Sequence, residues 1–416
     1  MIGKDFSHHQ TRFCLNVIMK NEESVLERLF DSVADEIAGW FICDTGSTDG
    51  SVELTKSYFR RRGIPGKLKH HPWKDFAFNR NICMNDGRAE MTRLCDYWLI
   101  LDADQELVNE TPHRLWEYSF DADGYVLNEE SHGVKFPKVR VVKVGDAWEY
   151  RGAVHESIYP KDRRGATARV GAAPQGFRTI HDTVVTRSAE EDVRILLQEL
   201  EKMPNDTRTH FYLAKTYLGM PGGSAKSLYH YAKRIELGRD ARNNNIEEHF
   251  MSLFHLASLL ELLYLEGRLG EEHSEILRQS KIINGTMSSI DDIIEVYVMA
   301  SSVLEYRYDP YAHIAGAYWK EKKDAHACYR YATKGLTVGS VKSETFLSTD
   351  FPLHALYNMM CTCGFHSSAF EGLVAACKYS LDRLPRKPSS PEAWETEFLK
   401  DSKFYLHELE KIGIVE

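Results

Sequence analysis

The sequence has no apolar run of the ~20 residues that a membrane-crossing helix needs. Its start, MIGKDFSHHQ, reads as a short polar lead-in without the pattern of a secretory signal. It also lacks any CxxC pair or zinc-type spacing. Its eight cysteines are scattered, and the closest two are Cys361 and Cys363. Scattered cysteines predict reduced thiols, most of them small core residues, in a cytoplasmic protein. A basic excess is missing as well: the formal net charge is -9, carried mostly from Ser188 onward. That balance disfavours nucleic acid as a partner. The small basic run RRRG, Arg60 to Gly63, reads as a solvated helix end. Finally, Asp-Thr-Gly occurs once, at Asp44 to Gly46. A single-chain aspartic protease needs two such copies to bring two carboxylates together, so that chemistry is excluded.

What is present suits two domains. The chain has 416 residues and 43% apolar content, enough to bury more than one core. Strand-like and helix-like segments alternate through the first part. FCLNVIM is an apolar β-branched run, and NEESVLERLFDSVADEI follows with Val25, Leu26, Leu29, Phe30 and Val33 at helical spacing. GWFICD reads as a strand, and GSVELTKSYFRRRG as a helix closed by Gly63 and capped by Ser47 or Thr48. KLKHHP and DYWLILDAD read as further strands. After about Asp123 come strand-like segments without long helices between them. Such an order predicts a mixed α/β sheet whose ligands gather beyond the strand C-termini.

From Ser188 the pattern is helical. AKSLYHYAKR and AHACYRYATK repeat with identical internal spacing, Ala225, Tyr229, Tyr231 and Ala232 against Ala325, Tyr329, Tyr331 and Ala332. Each follows a helix carrying an aromatic, Tyr217 or Tyr318. Small residues let paired helices approach and tyrosines fill the gaps. This resembles the tetratricopeptide helix-turn-helix, whose repeats stack. The expected boundaries are residues 1–187 for the first domain and 188–416 for the second.

Four stretches of the first domain bear chemistry. MKNEES follows the first strand, DTGSTDG the second, and DFAFNRN carries an Arg-Asn pair. LILDADQEL ends an apolar strand with Asp102 and Asp104. Carboxylates at i and i+2 of a strand share one face, and together they can hold a divalent cation through oxygen ligands.

In this order the stretches resemble the nucleotide-sugar glycosyltransferases of the GT-A fold, family two in particular. YRGAVHESI and IHD resemble later motifs of a subgroup that fuses this domain to tetratricopeptide-like helices, a layout shared with the bacteriocin S-glycosyltransferases. The resemblance implies an α/β GT-A, Rossmann-like domain with a mixed central sheet, followed by an all-α tetratricopeptide-like repeat domain. It implies a nucleotide-diphosphate sugar donor, a UDP-sugar before others, with Mn²⁺ or Mg²⁺.

By the same resemblance, Asn21 and Glu22 line the nucleotide pocket and Asp44 accepts from the base edge; an Asx-type turn before Gly46 is compatible with that. Arg80 approaches the diphosphate or ribose, or forms a salt bridge. Asp102 meets the ribose or the metal, and Asp104 meets the metal. His181 is the third metal ligand, or else a hydrogen-bonded strand histidine. Glu156 is the candidate base of an inverting transfer, with its neighbour His155 as the alternative. The expected activity is transfer of a sugar to a protein, glycan, lipid or modified nucleobase. The other class of reading is a tetratricopeptide-like interaction scaffold with an inactive GT-A domain. The helical half is expected to recruit the acceptor and to offer a homodimer contact.

Overall fold

Strands that are apolar along their whole length, as FCLNVIM and GWFICD are, must be covered on both faces, and this requirement organises the first half of the chain. A computed structural model describes residues 10–131, 134–145, 148–161, 168–181, 188–238, 245–338, 350–369, 372–383 and 393–411. Its contacts divide the chain into two units, Met1–Glu199 and Leu200–Glu416. The expected boundary residue Arg187 and Asp182 of the IHD stretch lie outside the described residues.

In the first unit the elements run β1 (Phe13–Met19), α1 (Glu23–Val33), β2 (Gly39–Asp44), α2 (Ser51–Arg62), β3 (Gly66–His70), α3 (Phe76–Met91), β4 (Tyr97–Ile100), β5 (Gln105–Asn109), β6 (Gly124–Ser131), β7 (Val134–Lys143), β8 (Trp148–Arg151), β9 (Ser157–Pro160), β10 (Val170–Ala172) and β11 (Phe177–His181). The main sheet has the order β3-β2-β1-β4-β7-β6-β11-β5, with β10 beside β6; β8 and β9 form a separate hairpin. β1 to β4 are mutually parallel. β7 is antiparallel to both β4 and β6, and β11 is parallel to β6 but antiparallel to β5. Hence β1, β2, β4, β6 and β11 all end at the same edge. This is the mixed sheet expected of a GT-A domain.

Alternate residues of each strand feed two cores. Leu15, Val17, Trp40, Ile42 and Leu99 pack with Leu26, Phe30 and Phe59 of α1 and α2. Cys14, Phe41, Cys43 and Trp98 pack with Cys83 and Met84 of α3 and with Trp148 and Tyr150 of β8. At Gly87 a Cβ would meet the Phe41 and Trp98 rings at 2.9 Å, so the absence of a side chain there lets α3 lie close on the sheet. Gly63 ends α2 at φ 66, as expected. The expected cap is corrected: α2 begins at Ser51 with Gly50 at the N-cap, because the Ser47 hydroxyl accepts instead from the Asn21 backbone N–H, at 2.9 Å. Of the RRRG run, Arg62 pairs with Asp31 on α1, a surface contact.

The reduced-thiol expectation is also corrected. All eight cysteines are paired, as Cys14–Cys95, Cys43–Cys83, Cys328–Cys363 and Cys361–Cys377. Partners stand on elements that meet across packed layers, as with Cys43 on β2 and Cys83 on α3, so spacing along the chain does not reveal them.

α4 (Ala189–Lys202) straddles the division between the units. The second unit continues with α5 (Thr207–Leu218), α6 (Ser224–Gly238), α7 (Ile246–Leu265), α8 (Glu271–Gln279), α9 (Ile290–Val303), α10 (Asp309–Lys320), α11 (Ala325–Thr337), α12 (Asp350–His366), α13 (Leu373–Arg383) and α14 (Ala393–Lys411). α5 packs on α6 and α10 on α11, and Ala214, Ala232, Ala315 and Ala332 are fully buried. The tyrosines of the two similar pairs do different jobs: Tyr217 stacks on His230, whereas Tyr318 stacks on Tyr331. No helix among the described residues is long and apolar enough to cross a membrane.

Candidate active site

Parallel strands that end at one edge bring their following loops together, and the first unit's candidate site residues collect there. The loop after β1 is tied to the loop after β2. Asn21 adopts φ 57, a left-handed conformation that asparagine tolerates. Its side-chain oxygen accepts from Thr48 N at 2.7 Å. Glu22 N donates to Ser51 Oγ at 2.8 Å, and Gly50 N donates to Glu23 Oε2 at 2.8 Å. Glu22 stands at the N-cap of α1 without a capping bond from its side chain. Burial, followed by the charges of Asp104, Asp49 and Asp102, pushes its carboxyl up to about 7.

Asp44 closes β2 and is buried. Its carboxylate accepts from Gly46 N and Ser47 N, each at 3.1 Å, so the Asx-type turn is present. His70, at the end of β3, places Nδ1 3.0 Å from Asp44 Oδ2. Burial opposes ionisation, but the bonds from Ser47, His70 and Gly46 hold the carboxyl below its ordinary value.

Asp102 and Asp104 do not share a strand face. They lie in the tight turn between β4 and β5, where Gln105 N donates to Asp102 O and Asp102 N donates to Gln105 Oε1. The turn sends the two carboxylates in different directions. Asp102 meets Arg80 of α3 through Oδ1 and Arg140 of β7 through Oδ2, the latter at 3.1 Å. Burial raises its carboxyl, yet Arg80 and Arg140 hold it well below the usual carboxylate range. Asp104 instead meets His181, at the end of β11, with Nε2 to Oδ2 at 3.2 Å. The hydrogen bond to Asp104 raises the imidazole's affinity for a proton, against the effect of burial. The antiparallel pairing that sets His181 opposite Gln105 makes this contact.

Arg80 also donates through Nε to Glu156 Oε1 at 2.7 Å, and its guanidinium lies over the Tyr150 ring. Its neighbour Asn81 exchanges bonds with Tyr150 N and O, which fixes β8 beneath it. Glu156 and His155 occupy the turn between β8 and β9. His155 has φ 53 and is exposed, while Glu156 is directed inward to Arg80.

Four contributors escaped the sequence reading. Arg140 and Glu129 are each 1% exposed and form a buried ion pair, with Arg140 Nε 3.0 Å from Glu129 Oε2. Gln105 donates to the same carboxylate oxygen at 3.1 Å. Lys138 lies 3.9 Å from Glu129, and burial together with the Arg140 charge lowers its proton affinity. Two buried arginines and a partly exposed lysine thus face Asp102, Glu129 and Glu156.

Among the described residues, no group of three His, Cys, Asp or Glu side chains is placed to hold a metal ion. Asp104 and His181 offer two donors side by side, whereas both Asp102 oxygens are engaged by arginines. The residues therefore fit a cation held by two side chains and by ligand oxygens, not the set of three expected.

Residues 14–149 match the family model described as glycosyl transferase family 2. The first unit accordingly carries a glycosyltransferase domain, of the class that uses nucleotide sugars. Among solved structures, S. aureus TarS 1-349 in complex with UDP is similar at 11% identity, with 72% of this chain and 93% of that chain covered and a TM-score of 0.36. A second structure of S. aureus TarS 1-349 is similar at 10% identity, with the same coverage and a TM-score of 0.31. No curated protein matches the chain.

Proposed function

We propose that the chain is a metal-dependent glycosyltransferase that takes a sugar from a UDP-sugar and transfers it with inversion to an acceptor bound with help from the helical unit. One observation carries the reading most: His181 lies within 3.2 Å of Asp104 although 77 residues separate them. Both stand at the edge where Asn21, Glu22 and Asp44 converge. In this reading Asn21, Glu22 and Asp44 receive the nucleoside, with Asp44 accepting from the base edge. Asp102 serves the ribose side and is fixed there by Arg80 and Arg140. Arg80 adds positive charge where the diphosphate departs.

Asp104 and His181 are the residues that would hold Mn²⁺ or Mg²⁺, which would supply positive charge for a leaving diphosphate. Glu156 takes the proton from the acceptor's nucleophile on the face opposite the departing UDP, and Arg80 keeps its carboxylate directed inward. The helices from Ser188 onward are read as a tetratricopeptide-like stack whose role is acceptor recognition, for a protein or glycan before a lipid or nucleobase. A homodimer contact through the same helices completes the reading.

The test is hydrolysis and transfer with a panel of nucleotide sugars. Turnover of UDP-sugars that needs Mn²⁺ or Mg²⁺, and that Asp104→Asn abolishes in a folded protein, supports it. Full activity in excess EDTA refutes the metal role. Turnover with other nucleotide sugars but none with UDP-sugars refutes the donor assignment.

A further inference from the structure

The second unit holds an open cavity of about 320 Å³ between α7, α10 and α12. Its floor is made of small residues, Ala312, Gly316 and Ala355, and its walls include Leu262 and Leu265. These leucines are 50% and 59% exposed. At one side of this apolar space stands a polar cluster. Tyr297 of α9 lies underneath and donates through its hydroxyl to Glu261 Oε2 at 2.6 Å. His313 Nδ1 lies 2.8 Å from the same oxygen. Burial opposes ionisation of Glu261, but the hydrogen bonds from His313 and Tyr297 hold the carboxyl below its ordinary value. Phe254 packs against both rings, which fixes the imidazole in place.

The hydrogen-bond inventory then decides what the cavity presents. His313 Nδ1–H donates to Glu261 Oε2, and the Tyr297 hydroxyl, which bonds the same oxygen, also lies 2.9 Å from His313 Nδ1 and 3.2 Å from Ser258 Oγ. With the imidazole neutral, Glu261 Oε1 and His313 Nε2, on residues that line the cavity, are two acceptors that no donor among the described residues meets. Their complement is a group rich in donors and positively charged, on an apolar stem. We propose that this cavity is a binding site for a primary alkylammonium group, whose N–H donors meet Glu261 and His313 while its chain lies along Leu262 and Leu265. A free aliphatic amine and a lysine side chain of a bound polypeptide share that chemistry. Lys320 on the rim contributes a nearby positive charge that helps hold Glu261 ionised. It therefore competes with the ligand.

The experiment is calorimetric titration of the full-length chain with pentylamine, cadaverine and Nα-acetyl-lysine methylamide, with pentanol and pentanoate as neutral and anionic counterparts. Saturable binding of the amines, at least about tenfold tighter than that of pentanol or pentanoate, is expected from one charge-assisted contact. Whether the free amines or the lysine derivative bind tighter identifies the source. Glu261→Gln is expected to reduce amine binding about tenfold or more. Gly316→Leu fills the cavity from α10, where a Cβ meets only the flexible end of Met359, and should abolish binding with the polar cluster intact. Lys320→Met should strengthen it. Absence of saturable amine binding, equal binding of pentanoate, or unchanged affinity in both Glu261→Gln and Gly316→Leu overturns the proposal.

Discussion

Replacing Arg140 by methionine tests the buried network that holds the first unit's site together. The guanidinium is 1% exposed and serves two carboxylates, Glu129 and Asp102. Methionine retains the bulk of the side chain and removes the charge. Glu129 would then be buried with Gln105 as a direct donor, His181 Nδ1 at 3.8 Å and Lys138 at 3.9 Å. Removing one partner of a buried ion pair costs about 3–5 kcal/mol. For a unit of this size that corresponds to a fall of roughly 6–20 °C in Tm. Scanning calorimetry reads it as a shift of the first unit's transition.

The pH dependence gives the experiment a sign. Glu129 and Asp102 are held below their ordinary carboxyl values in the folded protein. Their contribution is therefore complete above the unfolded-state value and is lost as pH falls through the folded one. Without Arg140, burial drives Glu129 the other way, so protonation relieves the variant. The deficit of Arg140→Met should be largest near neutral pH and should shrink as pH is lowered toward about 4.5, near the ordinary value of a glutamate. The double variant Arg140→Met/Glu129→Leu should recover most of the loss, since an apolar pair can replace a buried ion pair at little cost. A deficit below about 1 kcal/mol, within the range of an exposed pair, would show that Arg140 does not hold these charges. So would a deficit independent of pH.

Other substitutions separate the roles proposed for the site. Glu156→Gln should lower transfer by roughly 10²-fold or more, as loss of a positioned base does, with little change in donor affinity. If His155→Ala shows that pattern and Glu156→Gln does not, the base assignment is wrong. Asp44→Ala should raise the donor KM more than it lowers kcat, because a contact to the base is made equally in ground and transition states; unchanged KM with a large kcat loss would place Asp44 at the chemistry. Glu22→Gln should raise Tm at pH 8.5 and leave it unchanged at pH 4.5. The folded-state carboxyl is pushed up to about 7, so its contribution to stability is lost as pH rises through that value. Equal effects at both pH values would contradict this.

What the sequence made legible is local. A carboxylate or amide directly after a parallel strand, followed by a helix, must stand at the strand's C-terminal edge whatever the rest of the chain does. Asn21, Glu22 and Asp44 were readable for that reason, and so was the α/β alternation around them. Asp102 and Asp104 were readable at the end of an apolar strand but not as a divided pair. Their separation depends on β5 following β4 after a tight turn that Gln105 clamps, and period-two reasoning over DYWLILDAD extends the strand through it.

Arg140 and Glu129 needed the sheet register itself. Across β6 and β7, Tyr125 pairs with Val141 and Val126 pairs with Val139, so Arg140 is the extra residue of a bulge. A bulge re-aims a side chain that simple alternation assigns elsewhere. In the run VRVVK it makes a buried ion-pair partner out of what reads as a solvent-facing arginine. The disulfides follow the same logic, since Cys43 and Cys83 are neighbours only once α3 lies on the sheet. The polar cluster of the helical unit does too, with Glu261, Tyr297 and His313 drawn from three helices. Side chains whose partners are set by one strand end can be assigned from sequence, whereas those whose partners depend on register or layer packing need the fold. The variants that most sharply test the site's architecture therefore belong to the second group, and Arg140 heads it.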